Sequence, residues 1–205
     1  MTPGCRRAWL ARCASAAAVL VTWPSAQAGT QAEEPLADAV RTALSAAIAR
    51  SAPPRLPFAS TEQRLAFLQW QGTMSERLKR HKTEAHTRLE FLETLWYEST
   101  RAGLEPALVL GLIQVESGFR KYAISSAGAR GYMQVMPFWA RVIGDGDASR
   151  LFHLQTNLRF GCVILRHYLD TERGNLFMAL GRYNGSRGKS PYPDAVMANR
   201  QRWLP

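Results

Sequence analysis

The sequence has few cysteines, and this scarcity argues against a protein built on disulfides. Of its three cysteines, Cys5 and Cys13 lie within the first 28 residues, so Cys162 is the only thiol in the rest of the chain. One thiol cannot form an internal disulfide. Cys162 stands in an apolar stretch with helical spacing, which predicts a small buried core residue and not a nucleophile.

Apolar runs long enough to cross a membrane are also lacking. The N-terminal one, residues 14–21, is far shorter than the roughly 20 residues that span a bilayer. It follows a start with three arginines and precedes Ala26-Gln27-Ala28, which offers a small-x-small cleavage site. This arrangement is typical of a secretory signal peptide. We therefore expect a signal peptide at 1–28, an exported protein of the periplasm or cell envelope, and no stable membrane insertion.

Acidic residues are scarce relative to basic ones. The chain has 16 aspartates and glutamates against 26 lysines and arginines, which gives a formal charge of +10. A basic surface suits nucleic acid or an anionic polymer. The basic residues are dispersed and no nucleic-acid motif is present, so no nucleic acid partner is predicted. Export favours an anionic polymer outside the cytoplasm.

Strand-like alternation of polar and apolar residues is nearly absent, so the sequence predicts an all-α protein. The expected helices cover 35–50, 60–80, 84–101, 106–117, 136–143, 155–171 and 175–183, and the segment 191–205 is expected to add one final turn. Ser60 has the chemistry of a helix N-cap. Leucines form the expected buried stripes of the second and third helices, namely Leu65 and Leu68 with Trp70, then Leu89, Leu92 and Leu95 with Trp96.

Metal ligands in a recognised pattern are missing too. Asp145 and Asp147 resemble part of a calcium loop, but the remaining ligands of that loop are not present. His81 and His86 are five residues apart, which does not place them on one face of a helix. We therefore expect no metal and no cofactor.

What the sequence does contain is an acidic residue in an apolar setting, Glu116. It lies near the end of the apolar segment 106–117, beside a stripe formed by Leu108, Leu112 and Val115, where Gly118 can end the helix. A carboxyl group among apolar side chains loses hydration, which raises its pKa. Such a group is still protonated near neutral pH and can donate a proton to a leaving group. Glu116 is therefore the candidate catalytic residue.

Three segments carry a resemblance to a known family. Glu116-Ser117 is followed by Gly128-Ala-Arg-Gly-Tyr-Met-Gln-Val-Met-Pro137 and later by Ala179-Leu-Gly-Arg-Tyr-Asn184. Each segment alone is weak, but in this order and spacing they resemble the transglycosylase SLT family, the bacterial lytic transglycosylases with a goose-lysozyme-like fold. The resemblance covers about half of the chain, from roughly Leu95 to Val196.

The resemblance and the helix pattern divide the chain into four parts. These are a signal peptide at 1–28, a helical N-terminal extension at 29–94, a lysozyme-like transglycosylase domain at 95–198 and a C-terminal tail at 199–205. The N-terminal helices are expected to wrap or brace the signature region.

The resemblance implies a reaction on glycan strands of peptidoglycan. Glu116 is expected to protonate the glycosidic oxygen between N-acetylmuramic acid and N-acetylglucosamine, and then to take a proton from the muramyl C6 hydroxyl. The muramyl N-acetyl group assists, a 1,6-anhydro ring forms and no water is consumed, so one carboxylate suffices. Two alternatives stay open: a hydrolytic muramidase on the same fold, and a non-catalytic peptidoglycan-binding protein of the envelope.

The same resemblance and the chemistry of the side chains indicate further residues that bind substrate. They are Ser117, Ser125, Met133, Gln134, Tyr183, Asn184 and Tyr192. An amide side chain both donates and accepts, as recognition of an N-acetyl group requires, and a methionine offers an adaptable apolar surface. Tyr183 is expected near the reacting acetamido group, and Tyr192 in an outer sugar subsite. Capping and packing explain the serines, Met133 and Asn184 equally well.

Two positions depart from the family pattern. Tyr132 stands where the family usually has leucine, and Asn184 is followed by Gly-Ser-Arg-Gly in place of the usual Ala-Gly-Pro-Gly. Neither departure removes a catalytic group. They leave open the subfamily and the shape of the outer subsites.

Overall fold

The computed structural model describes residues 38–49, 56 and 58–205, so the expected signal peptide lies outside the described residues. The described part forms α1 (Asp38–Ala49), α2 (Thr61–Leu78), α3 (Ala85–Arg101), α4 (Pro106–Ser117), α5 (Pro137–Ile143), a 3₁₀ helix (Ala148–Phe152), α6 (Leu154–Thr171), α7 (Leu176–Asn184) and α8 (Pro191–Gln201). It contains isolated β-bridges at Arg130 but no strand. The predicted all-α class is confirmed. Of the helices described, none combines the length and apolar character that a bilayer span requires.

Helix α4 lies in the core, and most of its surface is covered by other elements. Its residues 107–113 and 116–117 are buried, which is the pattern of a helix surrounded by neighbours. Pro106 occupies the first turn, where its missing N–H costs nothing. Gly118 ends the helix as predicted, with the left-handed φ of 57° that glycine adopts without strain. Val115 is only half-buried.

Helix α8 packs against α4 at very short range. A Cβ atom added at Gly111 would lie 2.6 Å from the backbone nitrogen of Arg200 and 2.9 Å from the carbonyl oxygen of Val196. Only glycine allows this approach. The C-terminal end is also anchored, because the buried Trp203 donates its indole N–H to Gln114 at 2.8 Å.

The prediction of one final turn at the C-terminus is therefore wrong. Residues 191–201 form an 11-residue helix that starts at Pro191 and buries Tyr192, Pro193 and Val196. The carbonyl oxygens of Arg202 and Leu204 beyond it accept hydrogen bonds from Arg77.

The buried face of α2 also differs from the prediction. Leu65 and Leu68 are 54% and 48% exposed, and Leu89 of α3 is exposed as well, so their assignment to the core is wrong. The buried residues of α2 are Phe67, Trp70, Met74, Ser75 and Leu78. The larger aromatic rings decide the orientation of the helix, because they bury more apolar area than leucine. The rings of Phe67 and Trp70 lie 5.3 and 4.7 Å from that of Trp96.

A buried ion pair connects three helices. Arg159 of α6 contacts Glu98 of α3 at 2.7 Å, and both side chains are almost fully enclosed. Arg159 also donates to the carbonyl oxygen of Ile48 in α1 at 3.2 Å. Because an unpaired charge is costly inside a protein, this pair sets how α1, α3 and α6 meet.

The two faces of α2 give a direct test of the packing. We expect Phe67→Ala to lower the free energy of unfolding by about 3–5 kcal/mol, because it leaves a cavity in the aromatic cluster. The neighbouring Leu68→Ala is expected to cost less than about 1 kcal/mol, because its side chain is half in solvent. Urea unfolding of both variants measures the difference. Equal losses would contradict the observed orientation of α2.

Candidate active site

Glu116 carries a buried carboxyl group at the C-terminal end of α4, and only 6% of the residue is exposed. Tyr192 of α8 donates its hydroxyl hydrogen to Oε1 at 2.5 Å. The other oxygen, Oε2, is buried and has no hydrogen-bond partner among the described residues. The carboxyl group is therefore held through one oxygen, and the second oxygen is left for another partner.

The surroundings of Glu116 favour its protonated form. Burial raises the pKa of Glu116 to about 8, while the hydrogen bond from Tyr192 opposes the shift because it stabilises the carboxylate. The pKa of the Tyr192 phenol is raised well above its usual value, first by burial and then by Glu116, so this hydroxyl stays a donor. Since Oε1 accepts from Tyr192, the carboxyl proton belongs on Oε2. The burial and the raised pKa predicted for Glu116 are both confirmed.

We expected Tyr192 in an outer sugar subsite. The structure instead places its hydroxyl group in direct contact with Glu116. Its side chain is buried between α8 and α4. The two residues are 76 positions apart, and the contact arises from the close packing of α8 on α4. Local sequence carries no signal for this contact, because it depends on how α8 docks on α4.

Tyr183 of α7 is near Tyr192 and is fully buried. Its hydroxyl donates to the carbonyl oxygen of Met133 at 2.7 Å. The negative charge of an ionised Tyr183 also contributes to raising the pKa of Tyr192. The structure thus joins α7, α8 and the signature loop, which we define as residues 118–136, beside Glu116. Contact between Tyr183 and an acetamido group stays a prediction.

The polar side chains of the signature region hold the loop itself. Ser117 donates to the carbonyl oxygen of Tyr132 at 2.7 Å. Gln134, whose φ is 48°, donates its amide hydrogens to the carbonyl oxygens of Ala123 and Gly131 at 3.1 and 2.9 Å. Both side chains are buried. They shape the loop in this structure, and their contact with substrate stays a prediction.

The remaining predicted residues have similar local roles. Ser125 accepts a hydrogen bond from the N–H of Ala129 at 3.1 Å. Asn184 donates to Ser186 at 3.1 Å. The side chain of Met133 is fully buried and lies against Gly161 of α6, so it supports the loop from the core. Binding of sugar by these three residues stays a prediction.

Asn157 of α6 organises the loop and was missed in the sequence. Its Oδ1 accepts from the N–H of Met133 at 2.8 Å, and its Nδ2 donates to the carbonyl oxygens of Arg130 and Leu151 at 2.9 and 2.7 Å. A Cβ atom at Gly131 would lie 2.4 Å from Nδ2, so that glycine is required by packing. The available signal was a polar amide within the apolar face of α6.

Tyr132, which replaces the family's usual leucine, joins the loop to the N-terminal helices. Its hydroxyl accepts a hydrogen bond from Lys82 at 2.6 Å, in the connection between α2 and α3. The Lys82 ammonium also lies 5.1 Å from the centroid of the Phe91 ring. Burial lowers the pKa of Lys82 and raises the pKa of Tyr132 to about 12. This contact joins the expected N-terminal extension to the signature loop, and bracing of the loop by the extension stays a prediction.

No cluster of three or more histidine, cysteine, aspartate or glutamate residues suited to a metal occurs within the described ranges. Asp145 pairs with Arg150, and Asp147 accepts from the N–H of Ser149 at 2.9 Å. Both carboxylates therefore stabilise their own loop. Cys162 is buried, as predicted, and burial raises the pKa of its thiol well above the usual value.

The fold and the site define an all-α domain with a buried carboxyl group of raised pKa at a helix end, hydrogen-bonded to the buried Tyr192. Residues 94–195 match the family model of the transglycosylase SLT domain. This part of the chain belongs to the transglycosylase SLT domain family.

Individual proteins with similar sequences carry related names. The chain is 33% identical to the transglycosylase of Enterobacteria phage PRD1 over 54% of its length and 43% of the relative. It is 37% identical to membrane-bound lytic murein transglycosylase C of Actinobacillus pleuropneumoniae serotype 5b (strain L20) over 37% of its length and 23% of the relative. The chain thus spans less than half of these curated relatives.

A solved structure also resembles the chain. It is an inactive mutant of the lytic transglycosylase Slt from Pseudomonas aeruginosa, with a TM-score of 0.44 and 23% sequence identity. The match covers 68% of this chain and 27% of that protein.

The hydrogen bond from Tyr192 can be tested through the acidity of Glu116. We expect Tyr192→Phe to raise the pKa of Glu116 above about 8, because the variant loses a donor that stabilises the carboxylate. Carbon NMR titration of glutamate-labelled protein measures this pKa, and Glu116→Gln assigns the signal. An unchanged or lower pKa would refute the contact.

The buried carboxyl group also makes stability depend on pH. Because the pKa rises from 4.5 to about 8 on folding, the folded chain binds more protons than the unfolded chain between these values. The stability that the protonated group contributes below pH 4.5 is therefore lost as the pH rises towards 8. Relative to wild type, Glu116→Gln should gain up to about 1.4 kcal/mol per pH unit in this window. Urea unfolding at pH 5, 6 and 7 measures the gain, and parallel curves would contradict the raised pKa.

Proposed function

We propose that the chain is a peptidoglycan lytic transglycosylase. It cleaves the β-1,4 bond between N-acetylmuramic acid and N-acetylglucosamine without water and leaves 1,6-anhydro-muramyl ends. Membership of the SLT domain family and the names of the curated relatives support this proposal. The observation that carries it is the buried Oε2 of Glu116, which has no partner within the described part and belongs to a carboxyl group with a pKa of about 8.

Glu116 acts first as the general acid. Its Oε2–H group donates a proton to the glycosidic oxygen, the bond from that oxygen to the anomeric carbon breaks, and positive charge develops on the muramyl ring. The carboxylate that forms accepts a stronger, charge-assisted hydrogen bond from Tyr192 through Oε1. This contact therefore stabilises the state that follows proton transfer more than the starting state.

The substrate supplies the nucleophiles. The muramyl N-acetyl carbonyl oxygen attacks its own anomeric carbon, which is the exception to the usual need for a second carboxylate. The ionised Glu116 then removes the proton of the C6 hydroxyl, whose oxygen attacks the anomeric carbon and displaces the acetamido oxygen. Ring closure within one sugar has the entropy advantage of reactants that are already joined. Glu116 ends the cycle protonated.

The surroundings of Glu116 are consistent with a single carboxylate. Burial raises the pKa of Glu116, the hydrogen bond from Tyr192 lowers it, and no acidic side chain of the described residues contributes. Asp145 and Asp147, the other candidates in the sequence, are committed to Arg150 and Ser149. A pKa near the working pH suits one group that both donates and accepts a proton.

The proposal includes a location and a division of the chain. We infer a signal peptide at 1–28, a helical extension at 29–94, the transglycosylase domain at 95–198 and a short C-terminal segment at 199–205, in an exported protein of the periplasm or cell envelope. The basic composition suits an anionic polymer as partner. The contact of Lys82 with Tyr132 supports an extension that braces the domain.

Digestion of purified sacculi by the chain without residues 1–28 tests the function. Mass spectrometry of the products should show anhydro-muropeptides. Reducing ends that are heavier by one water would instead identify a hydrolytic muramidase. Binding without any soluble product would identify a non-catalytic peptidoglycan-binding protein.

Substitution of the proposed acid tests the mechanism. Glu116→Gln should lower turnover by at least about 10²–10⁴-fold, because the amide cannot transfer a proton. The variant should still fold and bind sacculi. Glu62→Gln, at an exposed position in the first turn of α2, is the matched control and should digest sacculi like the wild type. Full activity of Glu116→Gln would end the proposal.

A further inference from the structure

Two large apolar side chains project into solvent from the signature loop. Tyr122 is 70% exposed and Ile124 is 65% exposed, and neighbouring exposed apolar groups mark interaction sites more often than single ones do. They flank Ala123, whose carbonyl oxygen accepts from Gln134 at 3.1 Å and from the N–H of Gly131 at 2.9 Å. Hydrogen bonds within the signature loop therefore fix the backbone that carries these two exposed side chains.

Tyr122 belongs to a cluster of aromatic and cationic side chains. Its ring centroid lies 5.9 Å from that of Phe152. The Lys121 ammonium is 5.3 Å from the centroid of Tyr122, and the Arg130 guanidinium is 5.6 Å from the centroid of Phe152. Arg130 is fixed by a 2.9 Å hydrogen bond to the carbonyl oxygen of Ala148. We name Lys121, Tyr122, Arg130 and Phe152 the aromatic–cationic patch.

The charges on the Lys121 side of the patch are mainly positive, while Asp147, next to Ala148, accepts a hydrogen bond from the N–H of Ser149. Burial is the larger cause of the lowered pKa of Lys82, and the nearby charge of Lys121 lowers it further. Arg120 is exposed and adjacent in the chain. Glu90 is the acidic group that interacts with Lys82. A ligand of this surface is therefore expected to carry negative charge together with flat or apolar groups that cover the rings.

The patch lies within reach of a polymer bound at Glu116. Tyr122 lies six positions after Glu116 in the chain. Because a residue spans at most about 3.6 Å, their Cα atoms are no more than about 22 Å apart. A peptide attached to a glycan strand in the site can cover such a distance.

We propose that the aromatic–cationic patch binds the anionic stem peptides of peptidoglycan. The peptide carboxylates contact Lys121 and Arg130, and the apolar parts of the peptide cover Tyr122 and Phe152. This inference rests on the proposed function, since it assumes a glycan strand at Glu116. Through this patch, the chain binds glycan strands that carry peptides more tightly than naked glycan strands.

Binding to sacculi with and without stem peptides tests the proposal. The Glu116→Gln variant of the full chain prevents cleavage. Amidase treatment removes the peptides and with them the cross-links, so the stripped sacculi are naked glycan strands, and binding to them is measured in solution. Adding Lys121→Ser and Tyr122→Ala should weaken binding to intact sacculi about fivefold to tenfold and leave binding to stripped sacculi unchanged. The difference should shrink at high salt, because exposed charges are screened.

A matched pair elsewhere serves as control. Phe177→Ala and Lys189→Ser remove an exposed aromatic ring and an exposed lysine, and should leave both affinities unchanged. Equal binding by the patch variant and its parent would overturn the proposal, and so would an equal loss on stripped sacculi, which would assign the patch to the glycan. A failed proposed function looks different: wild-type protein would then bind sacculi and release no anhydro products.

Discussion

The hydrogen bond between Tyr192 and Glu116 is the interaction on which the rest of the site depends. It joins α8 to α4 and fixes one oxygen of a carboxyl group that burial keeps protonated. The effects of burial and of the tyrosine on the pKa are opposite in sign, and burial is the larger. The result is an acid weak enough to hold its proton near neutral pH and strong enough to release it when charge develops on a leaving group.

Around this pair, the protein uses polar side chains mostly to support its own backbone. Gln134 and Asn157 donate to carbonyl oxygens of the signature loop or accept from its N–H groups. Tyr183 does the same from α7. The loop has little regular structure, so these side chains supply the hydrogen bonds that a helix or sheet would otherwise provide. A motif whose residues look suited to sugar recognition is in this structure first a motif for folding.

Some features of this fold follow from local sequence, and others depend on which elements pack together. Helices α2 to α7 begin and end within two residues of their expected bounds, because caps, glycines and prolines mark them locally. The burial of Glu116 followed from its apolar neighbours. The exposure of Leu65 and Leu68 did not follow, because the rotation of α2 depends on the rings of α3. The contact of Tyr192 was equally hidden, since it requires α8 to dock on α4.

The contact at Gly111 shows how remote the control of acidity can be. Backbone atoms of α8 come so near this glycine that the methyl group of an alanine would push the two helices apart. Water could then enter beside Glu116, and the pKa would fall towards the ordinary 4.5 of a glutamate. The molecule would lose its proton donor although every group of the site remained. The reactivity of Glu116 thus depends on the absence of a side chain at residue 111.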